Sequence, residues 1–497
     1  MLSDTLGSPE INSISSCDFN WWSSAFLGGS MKSSLQVAAL GYLSLLTACG
    51  GGTSAPPATP GPAPVVSAIS PNSSRQGGPA FTLSVVGSNF TTNSTVQWNG
   101  AAQPTTFVNG NLLTAAIPAG EVATPGPDNI TVVDTGGTSN ALSLAVPCVI
   151  PTQGGSSQQT RARLGAYYFD GWSGALTNFH FQGLPLGPFQ DHQPLSGWQD
   201  NNECAVEQQL AVAHNVGIDF FVFDWYFNAA VNDTTGENLN SALNITHQLA
   251  DRHNMQYAIL YVNSPPFVAA PADWPGVISQ WIGYMSDPAY VTVNGKPLLI
   301  VIDAGNMRQT FGSSAGVASA LNQLRTAAVA SGLAGVYVIG GIQSGYDHNT
   351  QTGSFPGLSP LVADGYDAVS LYNYSFGTVS GQQSFSLVSE AGQWIWSQAA
   401  NNSPLPFIAV AMDGWDPRPW NEGDVWFSRS PPDVATLLDA AINWANANPA
   451  LRAEPSPTPP LVIMEAWNEF GEGSHLIPTV GEGTAYGDAV AAMLGTH

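Results

Sequence analysis

The 497-residue chain predicts a small all-β sandwich followed by a (β/α)8 barrel, on two observations. Between residues 65 and 146, short runs of alternating polarity are separated by Gly, Asn and Pro turns. Beyond residue 160 the pattern changes. Apolar runs recur at 164–169, 220–223, 257–262, 298–302, 336–339, 368–371, 407–411 and 461–464. Segments of helical periodicity lie between most of them, among them 238–252, 317–331, 384–399 and 433–447. A strand covered on both faces is apolar throughout, so this alternation describes a parallel sheet between helices. Eight such units over about 340 residues describe a closed barrel with insertions. A doubly wound open sheet competes, but no Gly-rich phosphate turn follows the first run.

The segments before the sandwich read as an export signal. Met31-Lys32 precedes an apolar stretch, which ends in Leu46-Thr47-Ala48-Cys49-Gly50. One positive charge, a short apolar segment and small residues before a cleavage point describe a signal peptide rather than a spanning helix. Leu46 to Cys49 resembles the bacterial lipobox, which implies cleavage before Cys49 and its lipidation. The expected layout is an upstream extension mis-assigned to the chain at 1–30, a signal at 31–48 and a Gly/Pro-rich tether at 49–63. The sandwich follows at 64–147, a linker at 148–160 and the barrel at 161–497. The expected location is a bacterial membrane, periplasmic or cell-surface, held by the lipid alone.

Only 9% of residues are charged, with 35 acidic against 11 basic and a net charge of −24. Nucleic acid and anionic membrane surfaces require a basic face, so neither is an expected partner. The 15 Trp and 14 Tyr suit stacking on sugar rings, although most Trp in a barrel is core. The four cysteines, Cys17, Cys49, Cys148 and Cys204, form no metal-binding spacing. Cys148 and Cys204 are open to a disulfide or to two separate thiols. No metal or cofactor is expected.

Barrel enzymes carry their chemistry at the C-terminal ends of the strands. There the chain offers Tyr168, Asp170 and Trp172 after the first run, Asp224, Trp225 and Tyr226 after the second, and Asn263 and Asp303 after the next two. Gln343, Tyr346 and His348 follow the fifth run; Tyr372, Asn373 and Tyr374 follow the sixth; Asp413 and Trp415 follow the seventh. The eighth opens into Trp467-Asn468-Glu469-Phe470-Gly471-Glu472-Gly473-Ser474-His475. Glu469 and Glu472 are three apart, and one helical turn would bring their Cβ atoms within about 5–6 Å. Glycoside cleavage requires two carboxyls, one donating a proton and one acting as base or nucleophile. Individually these residues have ordinary explanations: Asp224 or Asp303 as a helix cap, Tyr168 or Tyr372 as barrel wall, His475 as a turn residue.

Two resemblances follow from these residues. Ile69-Ser70-Pro71-Asn72, Gly77-Gly78, Gly87-Ser88-Asn89-Phe90 and Val96-Gln97-Trp98-Asn99-Gly100 resemble the IPT/TIG immunoglobulin-like family, which implies a spacer or interaction role. Gly165-Ala166-Tyr167-Tyr168-Phe169, the stretch from Gly217 to Trp225, and Trp467 to Gly473 followed by His475-Leu476-Ile477-Pro478 resemble glycoside hydrolase family 99 and the WbsX-type proteins. That resemblance implies a retaining, endo-acting hydrolase of α-mannosidic polysaccharide. Glu469 would assist the sugar's own 2-hydroxyl, and Glu472 would protonate the leaving oxygen. Asn468 and His475 join the other rim residues as expected sugar contacts. Phe470 and Gly471 stand where family 99 has Trp and His. Two other readings stay open: a non-catalytic glycan-binding lipoprotein, and a WbsX-type enzyme of polysaccharide metabolism acting by glycosyl transfer.

Overall fold

The computed structural model describes residues 61–74, 76–149, 161–173, 179–184, 187–228 and 239–495. Cys49, the signal segment, the upstream extension and most of the tether and linker lie outside the described residues.

The first unit is a sandwich of two antiparallel sheets. One orders Val65–Ser70, Phe81–Ser88, Leu112–Ile117 and Thr105–Asn109; the other is built on Gly126–Asp134, which pairs with Thr95–Trp98 and Leu142–Val146. Alternate residues point inward, and Leu83, Val85, Val96, Leu113, Ile130, Val132 and Leu144 are fully buried between the sheets. Trp98 is buried with them, edge-on to Phe81 at 6.4 Å, and is a core residue.

The second unit has eight parallel strands: β1 Arg163–Tyr168, β2 Phe220–Trp225, β3 Gln256–Tyr261, β4 Lys296–Val301, β5 Tyr337–Gly341, β6 Ala368–Ser370, β7 Ala409–Met412 and β8 Leu461–Glu465. Their lateral order is β6-β5-β4-β3-β2-β1-β8-β7. The ring closes where Ile408 N–H, just before β7, donates to Val369 O of β6 at 2.9 Å and Val369 N–H donates to Pro406 O at 2.9 Å. That closure makes the sheet a barrel and removes the open-sheet alternative. The surrounding layer includes α1 Glu203–Asn215, α2 Ser241–Gln248, α3 Trp274–Met285, α4 Ala304–Phe311, α5 Ser314–Ala330, α6 Ser359–Asp364, α7 Ser386–Asn402, α8 Pro431–Ala447 and α9 Ala485–Gly495. The segment expected to be helical to 252 stops at 248, because Leu249 turns to an extended backbone.

Cys148 and Cys204 are disulfide-bonded, with Cα atoms 5.8 Å apart, which ties the end of the sandwich to the start of α1. Beside the bond, Gln208 Nε2 donates to Gln76 Oε1 at 2.8 Å and to Val149 O at 2.9 Å. Among the described residues, no helix is long and apolar enough to cross a membrane.

Candidate active site

Strand β8 delivers the site. After Glu465 the chain turns into a short hairpin in which Asn468–Glu469 pairs with Ser474–His475. Glu472 N–H donates to Glu469 O at 3.2 Å across the turn, so the two glutamates share a hairpin turn rather than the helical turn their spacing suggested. Gly473 supplies the positive φ of +71° that the turn requires. Gly471 has no room for a Cβ because the Trp420 indole fills that space. The hairpin is clamped to the end of β1: Asn468 Oδ1 accepts from Phe169 N–H and Asn468 Nδ2 donates to Phe169 O, both at 2.9 Å. Trp172 Nε1 donates to Asn468 O at 2.8 Å, and Trp467 Nε1 donates to Gln209 Oε1 of α1 at 3.0 Å.

Five carboxyls gather at this end of the barrel: Asp224, Asp413, Glu465, Glu469 and Glu472, none more than 4% exposed. Tyr372 Oη lies 2.6 Å from Glu469 Oε1 and 3.1 Å from Asp224 Oδ2. Asn373 Nδ2 donates to Glu472 Oε2 at 3.4 Å. Ser474 Oγ lies 3.2 Å from Glu465 Oε2. Burial penalises every one of these charges. It pushes Glu469 up to about 7, opposed by the Tyr372 hydrogen bond. Burial, then the Glu469 charge, holds Glu472 and Asp224 well above the usual carboxylate range. Glu465 is raised likewise, by burial and then Glu472. Asp413 is raised by burial, against the pull of Arg429, whose Nη1 lies 3.5 Å away. Two neighbouring carboxyls of unequal proton affinity are what acid–base work at one bond requires. Among the described residues, no group of His, Cys, Asp and Glu has metal-holding geometry.

Of the expected rim residues, Asp224, Tyr226, Tyr372, Asn373, Asp413, Glu469 and Glu472 converge electrostatically. Trp415, half-buried, packs against Phe376. The others serve the framework. Tyr168 faces the helical layer: its hydroxyl donates to Asp200 Oδ1 at 2.9 Å and its ring packs on Phe221 and Phe223. Strand alternation explains the error, since Tyr167, its neighbour, points inward and stacks on Tyr372 at 4.6 Å. Trp225 likewise faces outward, against Tyr261 and Trp281. Asp170 Oδ2 accepts from Leu243 N–H in the first turn of α2 at 3.1 Å. Trp172 is buried among Phe169, Phe181, Trp198 and Phe470. Asp303 caps α4 through Gly305 and Asn306 N–H, and Asn263 clamps the Asp303 backbone from both sides. The Tyr374 hydroxyl bonds to Val410 O. Asn468 is the hairpin clamp described above.

His475 is buried at the base of the hairpin, where Arg429 Nη2 lies 2.9 Å from its Nε2. Burial, then Arg429, pushes its pKa down to about 3, so the ring is neutral. Arg429 also donates to Asp413 O and His475 O, and pairs with Glu482 at 2.7 Å. Sequence reading missed Glu465 as part of the site, although a carboxyl closing an apolar strand was a signal; Arg429, in a loop before α8, stood out in the sequence only as one of the barrel's few basic residues.

Comparison with known proteins agrees on the domain order. Residues 64–146 match the IPT/TIG domain model, and residues 268–490 match the model described as glycosyltransferase WbsX. No curated protein matches. Among solved structures, the chain is similar to the GH99 endo-alpha-mannosidase of Bacteroides thetaiotaomicron at 14% identity, covering 67% of this chain and 95% of that one, TM-score 0.45. The exo-beta-1,4-mannosidase Op5Man5 of Opitutaceae bacterium strain TAV5 aligns at 12% identity over 70% of this chain and 62% of its own, TM-score 0.38. The TIG domain of human nuclear factor of activated T-cells, cytoplasmic 4 aligns at 23% identity over 18% of this chain and 94% of its own, TM-score 0.15. The chain thus carries a WbsX-type barrel domain behind an IPT/TIG domain.

Proposed function

We propose that the barrel is a retaining, endo-acting glycoside hydrolase of α-linked, mannan-like polysaccharide. One observation carries the reading: Glu469 and Glu472 are buried on one hairpin at the C-terminal end of the barrel, where burial and then the charge of the first favour the proton on the second. Glu469 takes the proton of the sugar's 2-hydroxyl as that oxygen attacks the anomeric carbon. Glu472 gives its proton to the leaving glycosidic oxygen as the anomeric bond breaks. In the second step Glu472 takes a proton from water, whose oxygen reopens the three-membered ring at the anomeric carbon. Glu469 then returns its proton to the 2-oxygen, and two inversions leave the α configuration. The α-mannosidic linkage rests on the motif resemblance from Trp467 to Gly473.

Glycosyl transfer is favoured by the matching family model, which is described as a glycosyltransferase. A nucleotide-sugar donor brings a diphosphate, which needs cations to hold it, and the ionised Glu469 repels one. Arg429, the cation beside them, is held by Asp413, His475 and Glu482. Wild type, Glu469→Gln and Glu472→Gln incubated with α-mannan and α-glucan oligosaccharides separate the readings. Reducing-end release by wild type, α-anomer first, and its loss in both variants support hydrolysis. Binding without cleavage by wild type supports a lectin, and consumption of a nucleotide sugar supports transfer.

Lipid anchoring is a proposal of the same kind, resting on Leu46 to Cys49. Palmitate labelling of the full chain is expected, and labelling that persists in Cys49→Ser rules the anchor out.

A further inference from the structure

A phenol carries one proton, yet Tyr372 Oη lies within hydrogen-bonding distance of two carboxyls, Glu469 Oε1 at 2.6 Å and Asp224 Oδ2 at 3.1 Å. The hydroxyl can donate to only one of them. The other contact is a hydrogen bond only where the carboxyl supplies the proton. Two ionised carboxylates would leave an oxygen pair with nothing between. The distances decide the direction. Hydroxyl donors to carboxylates sit at about 2.5–2.7 Å, and neutral pairs are longer. On these distances Tyr372 donates to Glu469, and the Asp224 contact is a hydrogen bond only if Asp224 carries the proton.

We propose that Asp224 is held as the neutral acid, and that the chain Asp224–Tyr372–Glu469 makes Glu469 the ionised member of the glutamate pair. The inference rests on the reading of Glu469 as the base. Two similarly buried glutamates on one turn are otherwise interchangeable; this chain distinguishes them. Glu469 receives a short charge-assisted bond, whereas Glu472 has the Asn373 amide at 3.4 Å. The surroundings agree. Asp224 faces Glu469 and Glu472 from the β8 hairpin, Tyr372 from the end of β6, Tyr226 from its own strand end and Tyr167 from β1. None of these is a cation, and burial followed by the Glu469 charge favours the protonated form, against the opposing hydrogen bonds of Tyr372 and Tyr226. The proton that Glu469 takes from the 2-hydroxyl goes to Oε2, which carries no hydrogen bond, and returns from there. Asp224 keeps its own proton throughout, so it is a positioning residue.

Infrared difference spectra and pH profiles test this together. At neutral pH the wild type minus Asp224→Asn spectrum is expected to hold one protonated-carboxyl C=O band. A carboxylate band in its place overturns the proposal. Asn still donates to Tyr372, so the acid limb of kcat/KM should stay where it is and kcat should fall by less than about tenfold. Asp224→Leu has no donor, so the limb should move to higher pH and kcat should fall about 10²-fold. An acid limb displaced to lower pH in Asp224→Asn means that a negative charge was removed, and overturns the proposal. If the wild type cleaves no glycan, the hydrolase reading fails, and the infrared spectra still decide the state of Asp224.

Discussion

The sandwich and the rim of the barrel bury opposite kinds of residue. The sandwich core is aliphatic and aromatic, and its buried polar side chains are Ser94 and Gln103. The rim buries five carboxyls against one paired arginine, Arg429. An isolated ionised carboxylate costs several kcal/mol to take out of water, so a fold built only for stability avoids such a cluster. The barrel tolerates it because β1 to β8 beneath it are almost wholly apolar and buried. Concentrated burial of carboxyls thus marks the rim as the place where the proposed chemistry would sit.

The largest expected effect tests the rim directly. Glu472→Gln removes the proton donor while preserving shape, and kcat should fall about 10³-fold with the fold intact by circular dichroism. The matching test on the sandwich is Trp98→Ala. It opens a cavity in a core with nothing reactive near it, and should cost about 3–5 kcal/mol in the sandwich's unfolding transition. The barrel's kcat should not change. Loss of glycan cleavage in Trp98→Ala would end the division of labour between the two regions.

Glu469 sharpens the contrast through pH. Its folded pKa of about 7 stands above the ordinary value of 4.5. Below the ordinary value both states are protonated, and the contribution to stability is fully present. As pH rises toward about 7, the unfolded chain releases the proton and the folded chain keeps it, so stability is lost across that window. Glu469→Gln removes the loss. The variant should match wild type at about pH 4 and be more stable by about 3 kcal/mol at about pH 8 in urea unfolding. Equal stability at both values would mean that the carboxyl is solvated. The same ionisation sets the acid limb of activity, so kcat/KM should rise through about pH 7.

The barrel was legible in the sequence because a strand covered on both faces shows itself as a continuous apolar run, and all eight runs became strands or, at 407–411, the strand and its closing bridge. That continuity also hid the direction of individual side chains. A strand without alternating polarity does not reveal which face looks into the lumen, so Tyr168 and Trp225 read as rim residues although both face the helices. Asp170, Asn263, Asp303 and Asn468 have the right chemistry in the right segments, but backbone N–H groups claim them first. Local spacing sees none of this. The pairing of Cys148 with Cys204 was equally open, because it depends on where α1 lies against the sandwich.

The smallest effect is the most exact test of that alternation. Tyr167 and Tyr168 are neighbours on β1 and point to opposite faces. Tyr168 donates to Asp200, a carboxyl that burial pushes up to about 7 and that Gln209 also bonds. Tyr168→Phe removes that donor from a dry site behind the barrel wall. The cost should be about 1 kcal/mol of stability, with the pH profile of glycan cleavage unmoved, because Asp200 lies on the helical side. Tyr372→Phe removes one hydroxyl as well, but from the lumen, where it leaves Glu469 without its donor and should move the acid limb to higher pH. If the two variants shifted the pH profile alike, the wall between lumen and helical layer would not separate reactive from structural carboxyls. Asp200 would then belong with Asp224 and Glu469.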